Sequence, residues 1–180
     1  GVMVDFAGGH PATPAAAEVV KALDAELGGD GIEFHPGVQY RHIMVAPAEW
    51  AEADCAPPHD LSDKPVVAPT GAAAPELTRL MEASREVLGR FGLAANQIWL
   101  WGQGFQPQMP SFADRYGLEA GLVTAVDLVR GLGVLTGIEV IDLDTATGWY
   151  DTDYDGKRDV YLDALGDGAD LFIVHVEATD

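Results

Sequence analysis

Positive charge is scarce in this chain. Ten Lys and Arg residues face 29 Asp and Glu across 180 residues, for a formal net charge of −19. Only Lys21, Lys64 and Lys157 are lysines. Without a basic stripe the chain has nothing to displace counterions from a phosphate backbone, which argues against nucleic acid as a partner. The same deficit argues against an anionic membrane surface. Cysteine is nearly absent as well: the single Cys55 leaves no disulfide framework and no Cys-rich zinc site. It fits a reducing compartment, and a cytoplasmic location is expected. No apolar run approaches the roughly 18–20 residues of a membrane span, and no charged-then-apolar signal segment occurs. None of the three serines (Ser62, Ser84, Ser111) sits in a Gly-x-Ser-x-Gly elbow. The five histidines lack His-Glu-x-x-His spacing.

What is present is a chain able to fold. Hydrophobic residues make up 48% of it, too many for disorder despite the charge, and the length suffices for a core without disulfides or structural metal. The acid is uneven, with 12 of the 29 acidic residues between 139 and 180, as expected of a solvated, self-repelling face. Absence of an initiator Met and the stop at Asp180 lead to the expectation of one domain cut from a longer chain.

Strands and helices are expected to alternate. Val2–Phe6 is a short apolar run broken by Gly8-Gly9. Thr13 then reads as a helix cap with Pro14 as first helical residue, followed by Ala16, Val19, Val20, Leu23 and Leu27 at helical spacing. Ile32–Phe34 and Val38–Val45 read as strands around a His35-Pro36-Gly37 turn. Ala46–Pro69, with five prolines, reads as a long loop. A second helix is predicted over Pro75–Phe91. A short strand, Gln97–Trp101, opens into Gly102–Pro110. Leu122–Val126 and Ile138–Leu143 read as strands flanking a helix capped by Asp127. Lys157–Leu165 reads as a short helix and Leu171–Val176 as a buried strand. The pattern predicts an α/β fold with a mixed, largely parallel sheet flanked by helices.

In such folds ligands sit where strands open into loops, and three places stand out. Gly102-Gln103-Gly104 lets backbone N–H groups approach an anion, but it lacks the third glycine of a dinucleotide fingerprint and any Gly-Lys-Ser/Thr. Arg41, in Tyr40-Arg41-His42, falls within an apolar strand, where a guanidinium must find a carboxylate or phosphate or reach solvent. Asp151-x-Asp153-x-Asp155-Gly156 matches half a calcium loop with Asp159 at position 9. Leu162 stands where a bidentate Glu is required, so the stretch reads as an acidic loop ahead of a helix. His175 reads as a core histidine within its strand.

Several stretches taken in order carry a resemblance. They begin Val2-Met3-Val4-Asp5-Phe6-Ala7-Gly8-Gly9-His10, Tyr40-Arg41-His42 and Pro57-Pro58-His59-Asp60. They continue with Asn96-Gln97-Ile98-Trp99-Leu100-Trp101-Gly102-Gln103-Gly104, Pro110-Ser111-Phe112 and Arg115-Tyr116-Gly117. They close with Ala125-Val126-Asp127-Leu128, Ala146-Thr147-Gly148, Asp151-Thr152-Asp153-Tyr154-Asp155-Gly156-Lys157 and His175-Val176-Glu177-Ala178-Thr179-Asp180. Together they resemble the archaeal-type cofactor-independent (2,3-bisphosphoglycerate-independent) phosphoglycerate mutases of the alkaline-phosphatase superfamily, over nearly the whole chain. Asp153, where the family more often has Asn, and Trp149, where a smaller aromatic is expected, depart from the pattern.

The resemblance implies an isomerase that interconverts 3-phosphoglycerate and 2-phosphoglycerate through a phosphoserine intermediate, with two divalent metal ions of the Mn, Mg, Co or Zn class. Residues 1–180 look like its inserted substrate-binding domain, and 175–180 like the start of the return into the phosphatase domain. The nucleophilic serine and most metal ligands have no counterpart here, so the chain alone is expected to be inactive. Asp180 matches the Asp that opens an Asp-x-x-x-His metal pair. For the substrate grip the resemblance implies Arg41 first, then Arg115 and His10, with His42, His59 and Gln103 behind them. The alternative is a non-mutase relative, such as a phosphonate-handling or regulatory binding protein.

Overall fold

A computed structural model describes residues 1–177, and the chain folds as two compact units, Gly1–Phe105 and Gln106–Asp180.

The first unit is built on two helices. In α1 (Thr13–Leu27) the helical spacing buries Ala16, Val19, Val20 and Leu23. In α2 (Ala74–Leu88) it buries Leu77, Leu80, Met81, Ser84, Val87 and Leu88. Val19, Val20 and Leu23 meet Leu80, Val87 and Leu88 in one cluster, closed by Ile32 and Phe34. Phe34 belongs to β1 (Glu33–His35), which pairs antiparallel with β2 (Ile43–Val45). Asp24 of α1 accepts the Phe34 N–H at 2.8 Å and so ties helix to strand. Thr13 and Asp127, expected as caps, are each the first helical residue, and neither helix start has a side-chain cap. The Thr13 hydroxyl instead accepts the Gln39 N–H.

Three sequence expectations are corrected here. The strand Val38–Val45 shrinks to Ile43–Val45, because Val38–Arg41 closes a turn through an Arg41 N–H to Val38 carbonyl bond of 3.0 Å. Arg41 therefore lies ahead of the strand rather than within it. The helix predicted to reach Phe91 ends at Leu88. Gln97–Trp101 forms no strand and joins no sheet. Side chains take the place of a ladder: the buried Ser84 hydroxyl accepts the Ile98 N–H (3.0 Å), Arg85 donates to Gln97, and Trp99 Nε1 donates to the Ala56 carbonyl. Ala46–Pro69 is punctuated by 3-10 turns at Ala48–Glu52 and Pro58–Leu61.

The second unit is a parallel three-stranded sheet in the order β4 (Glu139–Val140), β3 (Ala120–Val123), β5 (Leu171–Val174). Helices α4 (Asp127–Thr136) and α5 (Tyr154–Gly166) alternate with the strands, and a short α3 (Phe112–Tyr116), absent from the sequence reading, precedes them. Central β3 is buried along its whole length. Edge strand β5, expected to be buried, is largely exposed, because only one of its sides is paired. At Gly121 a Cβ would lie 2.6 Å from the Phe172 ring. Overpacking of this kind costs about 1–3 kcal/mol, so Gly121→Ala is expected to lower the unfolding midpoint of the second unit in calorimetry. An unchanged midpoint would show that Phe172 can step aside.

The calcium-like stretch performs another task. Asp153 caps α5, accepting the Gly156 N–H (2.8 Å) and the Thr145 hydroxyl (2.7 Å). The Gly156 N–H, then the Thr145 hydroxyl, holds its carboxyl below the ordinary value. Asp155 and Asp159 both pair with Arg158.

Candidate functional site

Three of the candidate residues lie along one aromatic cluster in the first unit. Tyr40 is half-buried, the His10 ring meets it edge-on at 5.3 Å, and the Arg41 guanidinium lies 5.3 Å from its centroid. Phe6 joins on another side, 6.1 Å from Tyr40 and 6.3 Å from His59. His59 in turn meets Trp101 edge-on at 5.3 Å. His10, Arg41 and His59 thus come from three segments far apart in sequence, joined through Tyr40, Phe6 and Trp101. The sequence reading had placed these aromatics inside motifs but not in the site.

The loop that presents His10 is set by Asp5 and two glycines. The Asp5 carboxylate accepts the Gly9 N–H at 2.7 Å and the Ala7 N–H at 2.8 Å. These bonds, that of Gly9 foremost, hold its carboxyl below the ordinary range. Gly8, Gly9 and His10 all have positive φ (58°, 78° and 50°). A Cβ on Gly8 would stand 2.8 Å from that of Ala95, and one on Gly9 2.8 Å from that of Ala94. Close approach and left-handed backbone both require glycine at these two positions.

Arg41, Arg79, Arg85 and Arg115 make no ion pair among the described residues, and of these only Arg41 adjoins the aromatic cluster. In so acidic a chain most cations are already engaged: Arg90 with Glu26, Arg130 with Asp142, Arg158 with Asp155 and Asp159. Among the described residues Arg41 makes no ion pair; it is exposed and its guanidinium lies over the Tyr40 ring. A guanidinium stacked on a ring keeps its forked donors free for a carboxylate or phosphate. His10 adds an imidazole against the same ring, and His59 lies one ring further on, across Phe6.

The remaining candidates stand elsewhere or are already engaged. His42 Nδ1 accepts the Gly37 N–H at 3.0 Å, and desolvation lowers the ring's pKa, which favours the neutral acceptor form. His42 is thus a turn-former. Gln103 Nε2 donates to the Ala53 carbonyl at 2.5 Å. Arg115 belongs to the second unit, exposed and 5.6 Å from the Tyr116 ring centroid. An apolar hollow in that unit, lined by Met109, Phe112, Leu122, Leu132 and Ile173 among others, carries no charged group and offers no grip for an anion. Asp180 lies outside the described residues. Among those residues no three His, Cys, Asp or Glu side chains converge to hold a metal ion, and no helix is long and apolar enough to cross a membrane.

A buried polar group in the second unit was missed from sequence. Lys157, on α5, is 1% exposed and donates to the His175 carbonyl at 2.7 Å. Its ammonium lies 3.6 Å from Glu177 Oε2. His175, expected within a buried strand, stands one residue beyond β5, half-buried. A signal was available: Lys157, Val160, Tyr161 and Ala164 follow i, i+3, i+4, i+7 spacing, which places the lysine on the inward face.

Comparison with known proteins bears on both units. A family model described as 2,3-bisphosphoglycerate-independent phosphoglycerate mutase matches residues 1–91. A protein named 2,3-bisphosphoglycerate-independent phosphoglycerate mutase from Methanothrix thermoacetophila is 42% identical over all of this chain and 48% of its own length. One named as a probable enzyme of that kind, from Geobacter sulfurreducens, is 40% identical over 99% of this chain and 48% of its own. The chain spans about half the length of these relatives. A solved Pyrococcus horikoshii protein shares the fold at 19% identity, with a TM-score of 0.68 over 96% of this chain and 44% of its own. A cofactor-independent phosphoglycerate mutase from Thermoplasma acidophilum does so at 20%, with a TM-score of 0.53 over 90% of this chain and 48% of its own.

Proposed function

Because this chain belongs to the family of 2,3-bisphosphoglycerate-independent phosphoglycerate mutases, we propose that it is the substrate-binding part of such an enzyme, a cytoplasmic, metal-dependent isomerase that interconverts 3-phosphoglycerate and 2-phosphoglycerate. Residues 1–180 act in this reading as one substrate-binding domain within the longer enzyme, and 175–180 lead back into the phosphatase domain. Arg41, His10 and His59 hold the anionic groups of the phosphoglycerate, with Tyr40 and Phe6 as the apolar wall behind them. Arg115 is a further substrate contact to be tested in its own right. Serine nucleophile and two divalent metal ions belong to the rest of the enzyme, with Asp180 as one carboxylate ligand. The chemistry asked of the described residues is positioning: a substrate whose phosphoryl group leaves one hydroxyl and returns to the other must be held while it turns.

The observation that carries this reading is Arg41, a guanidinium that makes no ion pair among the described residues of a chain of net charge −19 and lies over the Tyr40 ring that His10 also meets. The relatives' names do not favour the alternative of a phosphonate-handling or regulatory protein. NMR titration of the 180-residue chain with 3-phosphoglycerate is expected to move the signals of Arg41, His10 and His59, and glycerate without phosphate to move them less. Silence at all three in millimolar ligand would sink the proposed grip. The same chain with added manganese is expected to show no mutase turnover; measurable turnover would place the nucleophile within it and overturn the assignment as a binding part.

A further inference from the structure

The C-terminal ends of β3 and β5 carry a polar cluster that the substrate grip does not use. Thr124 follows β3, and His175 and Glu177 follow β5. The His175 N–H continues the ladder to the Val123 carbonyl at 3.0 Å, and its own carbonyl accepts the Lys157 ammonium at 2.7 Å. Two residues on, Glu177 Oε1 accepts the Thr124 hydroxyl (3.2 Å) and the Ala125 N–H (3.3 Å). Glu177 Oε2 is buried, makes no hydrogen bond among the described residues and lies 3.6 Å from Lys157. The chain is thus pinned on both faces just beyond the last strand.

The same contacts decide the protonation of His175. Its Nδ1 lies 2.9 Å from the Thr124 oxygen and 3.0 Å from Glu177 Oε1. A carboxylate only accepts, so an unprotonated Nδ1 beside it would set lone pair against lone pair. The Thr124 oxygen already accepts the Val126 N–H (3.0 Å), and its single proton goes to Glu177. Nδ1 therefore carries the ring proton. Nε2, which is not buried and makes no hydrogen bond among the described residues, keeps its lone pair. A histidine oriented through a carboxylate in this way has its free nitrogen preset as an acceptor or ligand. Parallel sheets place their ligands at this end of the strands.

We propose that Lys157, Glu177 and Thr124 are positioning residues: they brace the chain as it leaves β5 and hold His175 in one tautomer with Nε2 free. Its functional consequence rests on the mutase reading, in which Asp180, three residues beyond Glu177, is a metal ligand. The brace then sets where that ligand starts from, without itself touching substrate.

Two measurements test this. The first needs no substitution: ring nitrogen-15 shifts of the 180-residue chain at neutral pH are expected to show His175 as the Nδ1–H tautomer, and Lys157→Met/Glu177→Met, which removes the accepting carboxylate, is expected to mix the two tautomers. A ring that is Nε2–H, or averaged between tautomers in the unsubstituted chain, overturns the proposal. The second uses the full-length mutase and the paired variant Lys157→Met/Glu177→Met, which removes both buried charges together so that neither is stranded. Manganese affinity and kcat are expected to fall about ten- to hundredfold, as for other residues that orient metal ligands, while KM for 3-phosphoglycerate stays within about twofold. Unchanged kcat and manganese dependence in a folded paired variant overturn the positioning role. Absence of turnover in the unsubstituted full-length protein would remove the mutase reading, and the tautomer measurement would then decide the brace by itself.

Discussion

Arg41→Ala in the full-length mutase is expected to lower kcat/KM for 3-phosphoglycerate by about ten- to hundredfold. Hydrogen bonds to a charged group contribute about 1.5–3 kcal/mol when neither partner is left without water, and 1.36 kcal/mol is a factor of ten in rate. The upper end applies if the fork grips a carboxylate or phosphate with two parallel bonds. Arg41→Lys keeps the charge but loses the fork and the guanidinium over Tyr40, so it should fall between. Arg79 supplies the control. It is exposed on α2 and makes no ion pair among the described residues, so Arg79→Ala changes the net charge equally without touching the cluster. Steady-state kinetics of the three variants separates a contact from a field: equal losses for Arg41→Ala and Arg79→Ala, or near-normal kinetics for Arg41→Ala, would remove Arg41 from the site.

How far this arrangement could be read from sequence depends on the range of the interactions. The helices were legible because burial of Val19, Leu23, Leu80 and Leu88 follows a period that one residue after another repeats. The parallel sheet was legible through the alternation of β3, α4, β4, α5 and β5. Gln97–Trp101 misled because its composition suits a strand, whereas its hydrogen bonds go to Ser84, Arg85 and Ala56, partners that no local pattern announces. In the site, Arg41 stood out as a cation in an acidic chain, and His10 and His59 came from family motifs. Their joining through Tyr40 and Phe6 is a long-range fact, since the segments of residues 10, 40 and 59 come together only after α1 and the hairpin are in place. The brace was harder still. Lys157 sits among aspartates, and an ion pair on the surface is the default reading of such a stretch. Only its helical register distinguishes it from Arg158, its exposed neighbour.

Lys157→Ala is expected to be the most destabilising single change in the second unit. The ammonium is 1% exposed and Glu177 13%. Removing the lysine leaves the Glu177 carboxylate, one oxygen of which makes no hydrogen bond among the described residues, as an uncompensated buried charge, for which the typical cost is about 3–5 kcal/mol. The pH dependence separates this cause from a simple cavity. Desolvation pushes the Glu177 pKa up, but its own backbone N–H, Lys157, His175 and the Thr124 hydroxyl together outweigh it and hold the group below its ordinary value of 4.5. A carboxyl lowered on folding contributes stability above its unfolded pKa, and that contribution is lost as the pH falls through the folded value. The unsubstituted chain should therefore lose stability from this group as acid is added below about pH 4.5. Without Lys157 one of the causes that lower the Glu177 pKa is gone, so the pKa should rise from its lowered position. Its contribution to the slope then shrinks, and the deficit of the variant narrows in acid. Lys157→Met/Glu177→Met should recover most of the loss, because it leaves no charge behind. Thermal unfolding of the three proteins between pH 7 and pH 3.5, followed in the second unit by amide exchange, gives the comparison. A Lys157→Ala deficit below about 1 kcal/mol at pH 7, or one that widens in acid, would mean that the buried ammonium does not hold Glu177 in its charged form.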